Sequence, residues 1–394
     1  MLRNITHLLF RLIKLHFTRK NPKKVLLVAE YSKIGGTRTY FLSLLQFLKT
    51  SPYEVTVLMN NQAADAEIDN LIKSNGFKTL SCDFDFWCID LDNIHPGLTK
   101  KDLISYQLKE MLFWCDIIKK HSFSRIVFSC SYPGQYLYIF LLPIAVRYIL
   151  HTQPIKKADR YKRWLLSSQL STSKKIITVS QSSKIAIEKF WLSGQSNKHV
   201  NFLHNFYEPK YKVKELISTN GFKRILTIGA VEEYKNPFFF IECAKQILAG
   251  NKTNTIIFTW AGDGSLLPEC RNRTKDFPQI QFVGNIENVE ELYAAATIYF
   301  QPSLQDSHGI AVLGAMYHKL PCVVSDNGGL KESVKHGVAG CVVNVVDTLN
   351  AVAKINDLLN DESVRKLMGD NGYNDYKKKF TRVAWEQNMN ETFY

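Results

Sequence analysis

Short apolar runs alternate with amphipathic stretches along most of the chain. The runs are rich in Val, Ile and aromatic residues and are bounded by glycine, proline or polar residues, which is typical of buried parallel strands. In the first half they predict strands at Val25–Glu30, Val55–Met59, Ile126–Ser129, Tyr148–His151, Lys175–Val179 and Val200–Leu203. In the second half they predict strands at Ile225–Ile228, Thr255–Trp260, Ile280–Val283, Ile298–Gln301, Cys322–Ser325 and Gly340–Val343. The helical patterns between them indicate crossover connections and therefore an α/β fold with parallel sheets.

A polar stretch over residues 206–222, which includes Pro209 and Gly221, separates the two series of strands. At 394 residues the chain is too long for one ordinary core and suits two domains. We therefore predict two Rossmann-like, doubly wound domains at 22–210 and 211–377, after an N-terminal arm at 1–21. Sheets of this kind bind ligands at the carboxyl ends of their strands, so we expect a central cleft that both domains face.

The N-terminal arm is strongly basic. Residues 1–24 hold seven lysines and arginines and no acid, about half of the net charge of +14. The pattern from Leu2 to Phe17 predicts a helix with a broad apolar arc, whose basic residues share one narrow face: Arg3, His7, Arg11 and Lys14. Such a helix suits the surface of an anionic membrane. The same pattern fits a helix docked on the protein itself or a frayed terminus, and the sequence leaves these alternatives open.

Composition and spacing exclude several classes of protein. The chain is 45% apolar and 12% aromatic, which indicates a folded globular protein. Its eight cysteines stand singly without a C-x-x-C pair, so we expect reduced thiols in the cytosol and no zinc site. Arg11 and Lys14 interrupt the first apolar stretch, which argues against a secretory signal. The run Tyr136–Val146 is too short to span a membrane, and we predict a buried helix there.

Glycine-containing turns join several predicted strands to helices. Gly35 and Gly36 precede a helical stretch at Tyr40–Leu48, and adjacent glycines let amides approach an anion at the positive end of a helix. A purely structural turn has the same pattern. The chain contains no G-x-G-x-x-G, which argues against a dinucleotide-dependent dehydrogenase.

The second half has three further turns of this kind. The turn Gly229–Pro237 carries Lys235, whose ammonium group can project toward a phosphate. The turn Pro302–Gly309 follows another predicted strand, and a third turn contains Gly328 and Gly329. We expect the three turns to bring one cation and several backbone amides to one edge of the sheet.

At these positions the sequence resembles the retaining glycosyltransferases of family 4, which have the two-domain GT-B fold. The resemblance covers the chain from Lys24 to the C-terminus. In the second half the order and spacing are those of the family at Phe282-Val283-Gly284, Leu292–Ala296, Pro302-Ser303, Gly309, Ala315-Met316, Leu320-Pro321 and Gly328-Gly329. In the first half the match is looser, at Gly35-Gly36, His151-Thr152, Val179-Ser180 and His204-Asn205. Residues 378–394 resemble the family's C-terminal helix, which packs back on the first domain.

The resemblance implies a role for individual residues. The catalytic residues would be His151 on the transferred sugar, Lys235 on the diphosphate and Asp306 on the sugar hydroxyls. The donor would also contact Gly35, Gly36, Gly229, His308, Gly309, Gly328, Gly329 and Glu332. Taken singly, His151 also fits a buried core histidine, Lys235 a solvated lysine, and His308 a packing residue.

The activity that the resemblance implies is that of a retaining hexosyltransferase. It would move a sugar from a UDP-, GDP- or ADP-sugar to a glycan or lipid-linked acceptor, at the cytosolic face of a membrane and in polysaccharide biosynthesis. We expect neither a metal nor a cofactor, because fixed cations and helix N-termini can stabilise the departing diphosphate. We expect no nucleic-acid partner, since the basic charge is concentrated in the arm.

Three positions depart from the family's pattern. Asp306 stands where the family has a glutamate, which shortens the reach of the carboxylate by about 1.5 Å. Gly314 replaces a second glutamate expected on the nucleotide ribose, a loss of roughly 1.5–3 kcal/mol if nothing replaces it. Ala230 replaces a phosphate-binding arginine. These changes allow altered donor contacts, a slower enzyme, or a catalytically impaired relative that binds a nucleotide or glycan, and we favour an active enzyme.

Overall fold

The computed structural model describes residues 2–29, 36–60, 66–82, 100–131, 137–212, 221–251 and 255–393. Its contacts separate two compact units. The first consists of the chain up to Val179 together with Ser183–Phe202 and Phe393, and the second of Ser180–Ser182 and Leu203–Thr392. The main division therefore falls after Phe202, a little before the limit expected at 210. Residues 382–392 fall in the second unit, whereas the resemblance assigned the C-terminal helix to the first domain.

The first unit is built on seven parallel strands in the order β3-β2-β1-β4-β5-β6-β7. The strands are β1 (Asn21–Ala29), β2 (Glu54–Asn60), β3 (Lys78–Cys82), β4 (Phe123–Cys130), β5 (Ala145–Leu150), β6 (Lys174–Thr178) and β7 (Val200–Phe202). The helices are α1 (Leu2–His16), α2 (Gly36–Lys49), α3 (Ala66–Ser74), α4 (Lys100–His121), α5 (Arg160–Gln169) and α6 (Gln181–Trp191). Because β1 lies between β2 and β4, the winding changes direction between β1 and β4.

The second unit is built on six parallel strands in the order β10-β9-β8-β11-β12-β13. The strands are β8 (Lys223–Ile228), β9 (Ile256–Ala261), β10 (Ile280–Gly284), β11 (Ile298–Gln301), β12 (Cys322–Ser325) and β13 (Gly340–Val343). The helices are α7 (Pro237–Gly250), α8 (Leu267–Arg273), α9 (Val289–Ala294), α10 (Ile310–Tyr317), α11 (Leu330–Ser333), α12 (Thr348–Asn360), α13 (Glu362–Lys379) and α14 (Arg382–Phe393). This is the strand order of a Rossmann fold, so the predicted pair of doubly wound α/β sheets is confirmed.

Two differences from the sequence prediction concern the first sheet. Strand β3 is not predicted, because this edge strand is largely exposed and Lys78–Cys82 contains no buried apolar run. The helix predicted at Tyr136–Val146 is wrong: among the described residues, Leu137–Leu141 form one 3₁₀ turn and β5 begins at Ala145. Pro143 accounts for this break, because proline lacks an amide hydrogen and disfavours the helical conformation of the residue before it.

Helix α1 packs on α4 within the first unit. Leu8 and Leu15 are buried in the core, and Leu12 packs against it. Arg11 forms an ion pair with Asp116 of α4. One side of α1 is therefore docked on the protein itself, which is one of the alternatives that the sequence left open. None of the helices in the described part of the chain combines the length and apolar character needed to cross a membrane.

An aromatic cluster anchors the helix that follows the first strand of the second sheet. Phe240 of α7 contacts Phe258, Trp260, Phe282 and Phe300, with ring centroids 5.1 to 6.1 Å apart. All five rings are buried, and burying a phenylalanine side chain contributes about 1.5–3 kcal/mol to stability. This packing holds the start of α7, and with it the preceding turn, against the sheet.

Candidate functional site

The candidate site lies at the carboxyl end of the second sheet, where β8 and β11 are neighbours. Ligands of doubly wound sheets bind at such a switch point, because the loops on either side diverge. The loop after β8 carries Lys235, and the loop after β11 carries Asp306. Nζ of Lys235 donates to Oδ2 of Asp306 at 2.5 Å, and the two side chains are only 17% and 8% exposed.

The loop after β8 has a backbone that few residues other than glycine and asparagine adopt. Gly229 has a φ of 155° and Asn236 a φ of 60°. Between them Glu233–Lys235 form a single 3₁₀ turn, and Pro237 begins α7 at a position that needs no amide hydrogen. The lysine therefore lies at the end of a tight turn, immediately before the N-terminus of a helix.

Hydrogen bonds hold the loop after β11 beside the loop after β8. The amides of Leu304 and Gln305 donate to the carbonyl oxygen of Tyr234, at 2.9 and 3.1 Å. On the other side, the indole Nε1 of Trp260 donates to the carbonyl oxygen of Gly229 at 2.9 Å. The two loops are thus linked through their backbones, which fixes the pairing of their charged side chains.

A buried chain of polar side chains leads to Asp306. The hydroxyl of Tyr299 donates to Oε1 of Gln301 at 2.7 Å, and Nε2 of Gln301 donates to Oγ of Ser303 at 2.9 Å. Oγ of Ser303 donates in turn to Oδ2 of Asp306 at 3.4 Å. Sequence reasoning missed Tyr299 and Gln301, although a glutamine in an otherwise apolar strand indicates a buried polar contact.

Two glycines come close to the loop that holds Asp306, and a third glycine ends that loop. A Cβ atom at Gly328, where φ is 66°, would lie 2.0 Å from the carbonyl oxygen of Asp306, and a Cβ at Gly329 would lie 2.0 Å from that of Ser307. The amide of Gly329 donates to the Asp306 carbonyl at 2.9 Å, so this amide is engaged within the protein. Gly309, with a φ of 69°, directly precedes α10. At Gly328 and Gly329, only glycine permits the close approach to the neighbouring backbone.

Glu332 is also engaged within the second unit. Its Oε2 accepts hydrogen bonds from the amide of Gln181 at 2.8 Å and from Nε2 of His204 at 2.9 Å, and its Oε1 accepts one from the amide of Ser182 at 2.6 Å. Burial by itself raises the pKa of Glu332, but these hydrogen bonds outweigh it and lower the pKa to about 2. Both oxygens of the carboxylate are therefore occupied by the protein, and they order the chain at Gln181, Ser182 and His204.

His308 lies in a packed environment. Its ring stacks on that of His204, with centroids 4.6 Å apart, and both rings meet Phe380 edge-on. Burial, with the neighbouring His204, lowers the pKa of His308 to about 3, so its ring is neutral. The sequence left open whether His308 contacts the donor or packs inside the protein. Its contacts are those of a packing residue.

In the first unit, His151 directly follows β5. Its Nε2 lies 2.7 Å from Oγ of Ser129 on the neighbouring strand β4, and its ring centroid lies 4.5 Å from that of Tyr40. Burial lowers the pKa of His151 to about 4, which keeps the ring neutral at neutral pH. Gly36 is the exposed first residue of α2, and Gly35 lies outside the described residues.

Part of the chain matches a known protein family. Residues 222–361, which contain Lys235, Asp306, Gly328 and Gly329, match the family described as Glycosyl transferases group 1. The match covers 140 of the 394 residues, so this segment resembles the group 1 glycosyltransferases. Below, residues 222–361 are called the group 1 segment.

Two curated relatives of this chain are named as sugar transferases. Over 180 residues the chain is 28% identical to the GalNAc-alpha-(1->4)-GalNAc-alpha-(1->3)-diNAcBac-PP-undecaprenol alpha-1,4-N-acetyl-D-galactosaminyltransferase of Campylobacter jejuni, covering 44% of this chain and 49% of that protein. It is 27% identical over 163 residues to the UDP-Gal:alpha-D-GlcNAc-diphosphoundecaprenol alpha-1,3-galactosyltransferase of Escherichia coli, covering 40% and 41%. These alignments span less than half the length of each relative.

Solved structures extend the likeness to nearly the whole chain. A glycosyltransferase from Rickettsia africae superposes with a TM-score of 0.75 at 13% identity, covering 95% of this chain and 98% of that one. Anabaena Alr3699/HepE in complex with UDP and glucose gives a TM-score of 0.67 at 16% identity, covering 95% and 99%. Identities this low show the fold alone, and the predicted GT-B fold is confirmed.

Two tyrosines fill the space beside Gly314, where the resemblance implied a glutamate. A Cβ atom at Gly314 of α10 would lie 2.7 Å from the hydroxyl of Tyr293 and 2.9 Å from Cε2 of Tyr207. The Tyr293 hydroxyl donates to the carbonyl oxygen of Ala311 at 2.7 Å, and that of Tyr207 donates to Oε1 of Glu290 at 3.3 Å. Sequence reasoning missed these two buried tyrosines, because neither lies near Gly314 along the chain.

Proposed function

We propose that this protein is a glycosyltransferase that moves a hexose from a UDP-, GDP- or ADP-sugar to a glycan or lipid-linked acceptor. The proposal includes retention of the anomeric configuration and catalysis without a metal ion. The names of two relatives support the substrate class, since they specify acceptors linked to undecaprenol through a diphosphate and, in one case, a UDP-sugar donor. A similar structure that holds UDP and glucose supports the donor class.

The observation that carries the proposal is the ion pair between Lys235 and Asp306 at the switch point of the second sheet. A largely buried ion pair adds little net stability, because removing two charges from water offsets their attraction. Because this pair lies at the edge where such sheets bind ligands, we infer that it serves to bind a ligand rather than to stabilise the fold. A donor diphosphate would take the hydrogen bonds of Lys235, and the carboxylate of Asp306 would then accept one from a sugar hydroxyl.

The chemistry that we propose needs no separate protein base. The bond between the anomeric carbon and the phosphate oxygen breaks, so negative charge develops on the departing diphosphate and positive charge on the sugar. Lys235 and the N-terminus of α7, which begins at Pro237, would stabilise the diphosphate. The departing phosphate oxygen would take the proton of the acceptor hydroxyl, which attacks from the same face, so the configuration is retained.

The other predicted contacts belong to the same proposal. His151 would exchange a hydrogen bond with the transferred sugar, for which a neutral ring supplies one donor and one acceptor. Gly35, Gly36, Gly229, Gly309, Gly328 and His308 would contact the donor, the glycines through their backbones. Gly329 would act mainly by ordering the loop that holds Asp306, and Glu332 by ordering the chain at Gln181 and Ser182.

We place this reaction at the cytosolic face of a membrane, in polysaccharide biosynthesis. The lipid-linked acceptors named for two relatives support this location. The basic arm at residues 1–20 would make the contact with an anionic surface, so that the protein is peripheral.

The test is incubation of the full chain with UDP-, GDP- and ADP-sugars and an undecaprenyl-diphosphate-linked sugar as acceptor. We expect one nucleotide class to release its nucleoside diphosphate, a product whose anomeric configuration matches that of the donor by NMR, and an unchanged rate in EDTA. An inverted product or a loss of rate in EDTA would contradict retention or metal independence, respectively. Failure to bind any of the donors would contradict the proposal as a whole.

A second candidate is a binding module that has lost turnover. Two tyrosines occupy the place of the second carboxylate beside Gly314, and Ala230 provides no cation. Both differences weaken donor contacts. This alternative requires that calorimetry detect nucleotide binding while no nucleoside diphosphate is released with any acceptor.

A further inference from the structure

Strand β11 has two unlike faces. Ile298 and Phe300 pack in the aromatic core of the second sheet, whereas Tyr299 and Gln301 point to the opposite face. The side chains of Tyr299, Gln301 and the following Ser303 are no more than 1% exposed. Buried polar groups cost free energy unless they find partners, so apolar side chains would serve the fold at least as well. We refer to these three polar residues as the polar row.

The hydrogen bonds of the polar row run in one direction. Oε1 of Gln301 accepts from the hydroxyl of Tyr299, and Nε2 of Gln301 donates to Oγ of Ser303. Since Oγ of Ser303 accepts this bond, its own proton is directed at Oδ2 of Asp306. Burial raises the pKa of Tyr299 well above its ordinary value, so the first hydroxyl of the row keeps its proton. The donor that reaches the carboxylate is therefore oriented by the amide of Gln301.

The other end of the polar row is anchored on the neighbouring strand. The amide of Ile228, the last residue of β8, donates to the hydroxyl of Tyr299 at 3.3 Å. Strand β8 leads into the loop of Lys235, whose Nζ donates to the same Oδ2 of Asp306 that Ser303 contacts. When a donor phosphate takes over Lys235, the hydroxyl of Ser303 remains as a partner of that oxygen.

We propose that Gln301 is a positioning residue that, with Tyr299, holds the Ser303 hydroxyl against Asp306, so that the carboxylate stays aimed at the sugar when the diphosphate binds. The inference rests on the proposed function, in which Asp306 accepts a hydrogen bond from a sugar hydroxyl. The polar row lies within the group 1 segment, the part of the chain for which a sugar donor is proposed. Loss of the amide should therefore affect the sugar part of the donor and spare the diphosphate.

A comparison of two ligands tests this division. Gln301→Met removes the amide but keeps a side chain of similar size. It should lower kcat/KM for the nucleotide sugar about tenfold or more, the effect of one hydrogen bond to a charged group. The Kd of the matching nucleoside diphosphate (UDP, GDP or ADP) should stay at the wild-type value, because this ligand has no sugar. Lys235→Ala should weaken the binding of both ligands, since its ammonium group is placed on the diphosphate.

A second variant has a closely matched control. Tyr299→Phe removes the hydroxyl at the start of the polar row and should lower kcat/KM about threefold, because the amide of Gln301 is then less well oriented. Tyr376→Phe also removes a buried hydroxyl from the second unit, one that donates to the carbonyl oxygen of Tyr207 at 3.0 Å. Both variants should lose a similar unfolding free energy, but only Tyr299→Phe should lose activity. This pair keeps the test decisive if Gln301→Met does not fold.

A pH profile provides a readout that stability does not move. In Gln301→Glu the protonated carboxyl group accepts from Tyr299 and donates to Ser303 as the amide does, whereas the ionised group only accepts. The ionised form would draw the proton of Ser303 away from Asp306. Burial raises the pKa of a carboxyl group, so the activity of Gln301→Glu relative to the wild type should rise as the pH falls through that raised pKa. The rates are measured well below the unfolding temperature, with Gln301→Met as the control that keeps the wild-type profile.

Three outcomes would overturn the inference. The first is a wild-type enzyme that transfers sugar while Gln301→Met does so with the same kcat/KM. The second is an equal loss of affinity for the nucleotide sugar and the free nucleoside diphosphate in Gln301→Met, which would indicate a distorted site. The third is an equal loss of activity in Tyr299→Phe and Tyr376→Phe. A wild-type protein that binds none of the nucleotide sugars would contradict the proposed function, and this inference with it.

Discussion

Nζ of Lys235 and Oδ2 of Asp306 lie 2.5 Å apart, although 71 positions separate the two residues along the chain. Their contact follows from strand order, because β8 and β11 are neighbours in the sheet and each residue lies in the loop after its strand. Without a ligand the two charges satisfy each other. A phosphate that binds Lys235 must therefore displace a carboxylate, and the freed carboxylate becomes an acceptor beside the ligand.

Replacement of the lysine tests its part in the reaction. Lys235→Ala should lower kcat/KM for the donor by about 10²–10³-fold, because one fixed donor to the developing charge is lost. Lys235→Arg should retain part of the activity, since it keeps the charge but changes the geometry. The rate of nucleoside diphosphate release measures both effects. The control Lys275→Ala removes an exposed lysine of the same unit, and a Lys235→Ala enzyme as fast as this control would contradict the assignment.

Substitutions at two glycines of similar backbone conformation distinguish the cost of backbone strain from the cost of a steric collision. Gly328 has a φ of 66° and Gly337 a φ of 73°, but only at Gly328 would a Cβ atom collide, at 2.0 Å from the carbonyl oxygen of Asp306. Gly337→Ala should cost about 1–2 kcal/mol of unfolding free energy, the cost of a left-handed residue that has a Cβ atom. Gly328→Ala should cost clearly more and weaken donor binding. Urea unfolding and donor titration measure these effects, and equal losses for the two variants would count against the close approach.

The crowding around Gly314 reverses a simple expectation about restoring the family's glutamate. Gly314→Glu should not create a ribose contact, because Tyr293 and Tyr207 occupy the space, and forcing a side chain in should cost about 1–3 kcal/mol or more. Gly314→Ala should also destabilise the protein, but by a smaller amount. The control is Gly250→Ala at the end of α7, where nothing lies within 4 Å of the added Cβ and stability should rise by up to about 1 kcal/mol. A stable Gly314→Glu protein with tighter donor binding would refute this account.

The buried His308 makes stability depend on pH. Histidine in the unfolded chain titrates near its ordinary pKa of about 6.5, whereas burial and the neighbouring His204 lower the pKa of His308 in the folded protein to about 3. Between these values the unfolded chain binds a proton that the folded protein does not, so the unfolding free energy falls as the pH drops below 6.5. His308→Phe should remove up to about 1.4 kcal/mol per pH unit of this dependence.

Urea unfolding of wild type and His308→Phe at a series of pH values measures this difference. His151, with a pKa lowered to about 4 by burial, contributes in the same direction, so the variant should keep part of the dependence. Above pH 6.5 both proteins should show flat profiles with respect to these groups. Identical slopes for the two proteins between these values would show that His308 is solvated in the folded state.

Several elements of the second sheet follow directly from the sequence. Strands β11, β12 and β13 have the predicted ends, because each is a short apolar run bounded by polar or turn residues. The glycines at 328 and 329 and the lysine at 235 lie in the turns where the sequence placed them. Strand β3 was not predictable in the same way, because it is largely exposed and lacks an apolar run. The turn at Leu137–Leu141 was predicted as part of a longer helix, which a proline interrupts.

By itself, the sequence determined what depends on neighbours a few positions away: the strands, the turns before the helices, and the amphipathic character of α1. The tertiary structure alone decided which side chains meet across the sheet. It paired Lys235 with Asp306, filled the space beside Gly314 with two tyrosines, and divided the apolar arc of α1 into a buried and an exposed part. The physical reason is that periodicity reports the faces of one element, whereas the partner of each face is set by strand order and by packing between residues far apart in the chain.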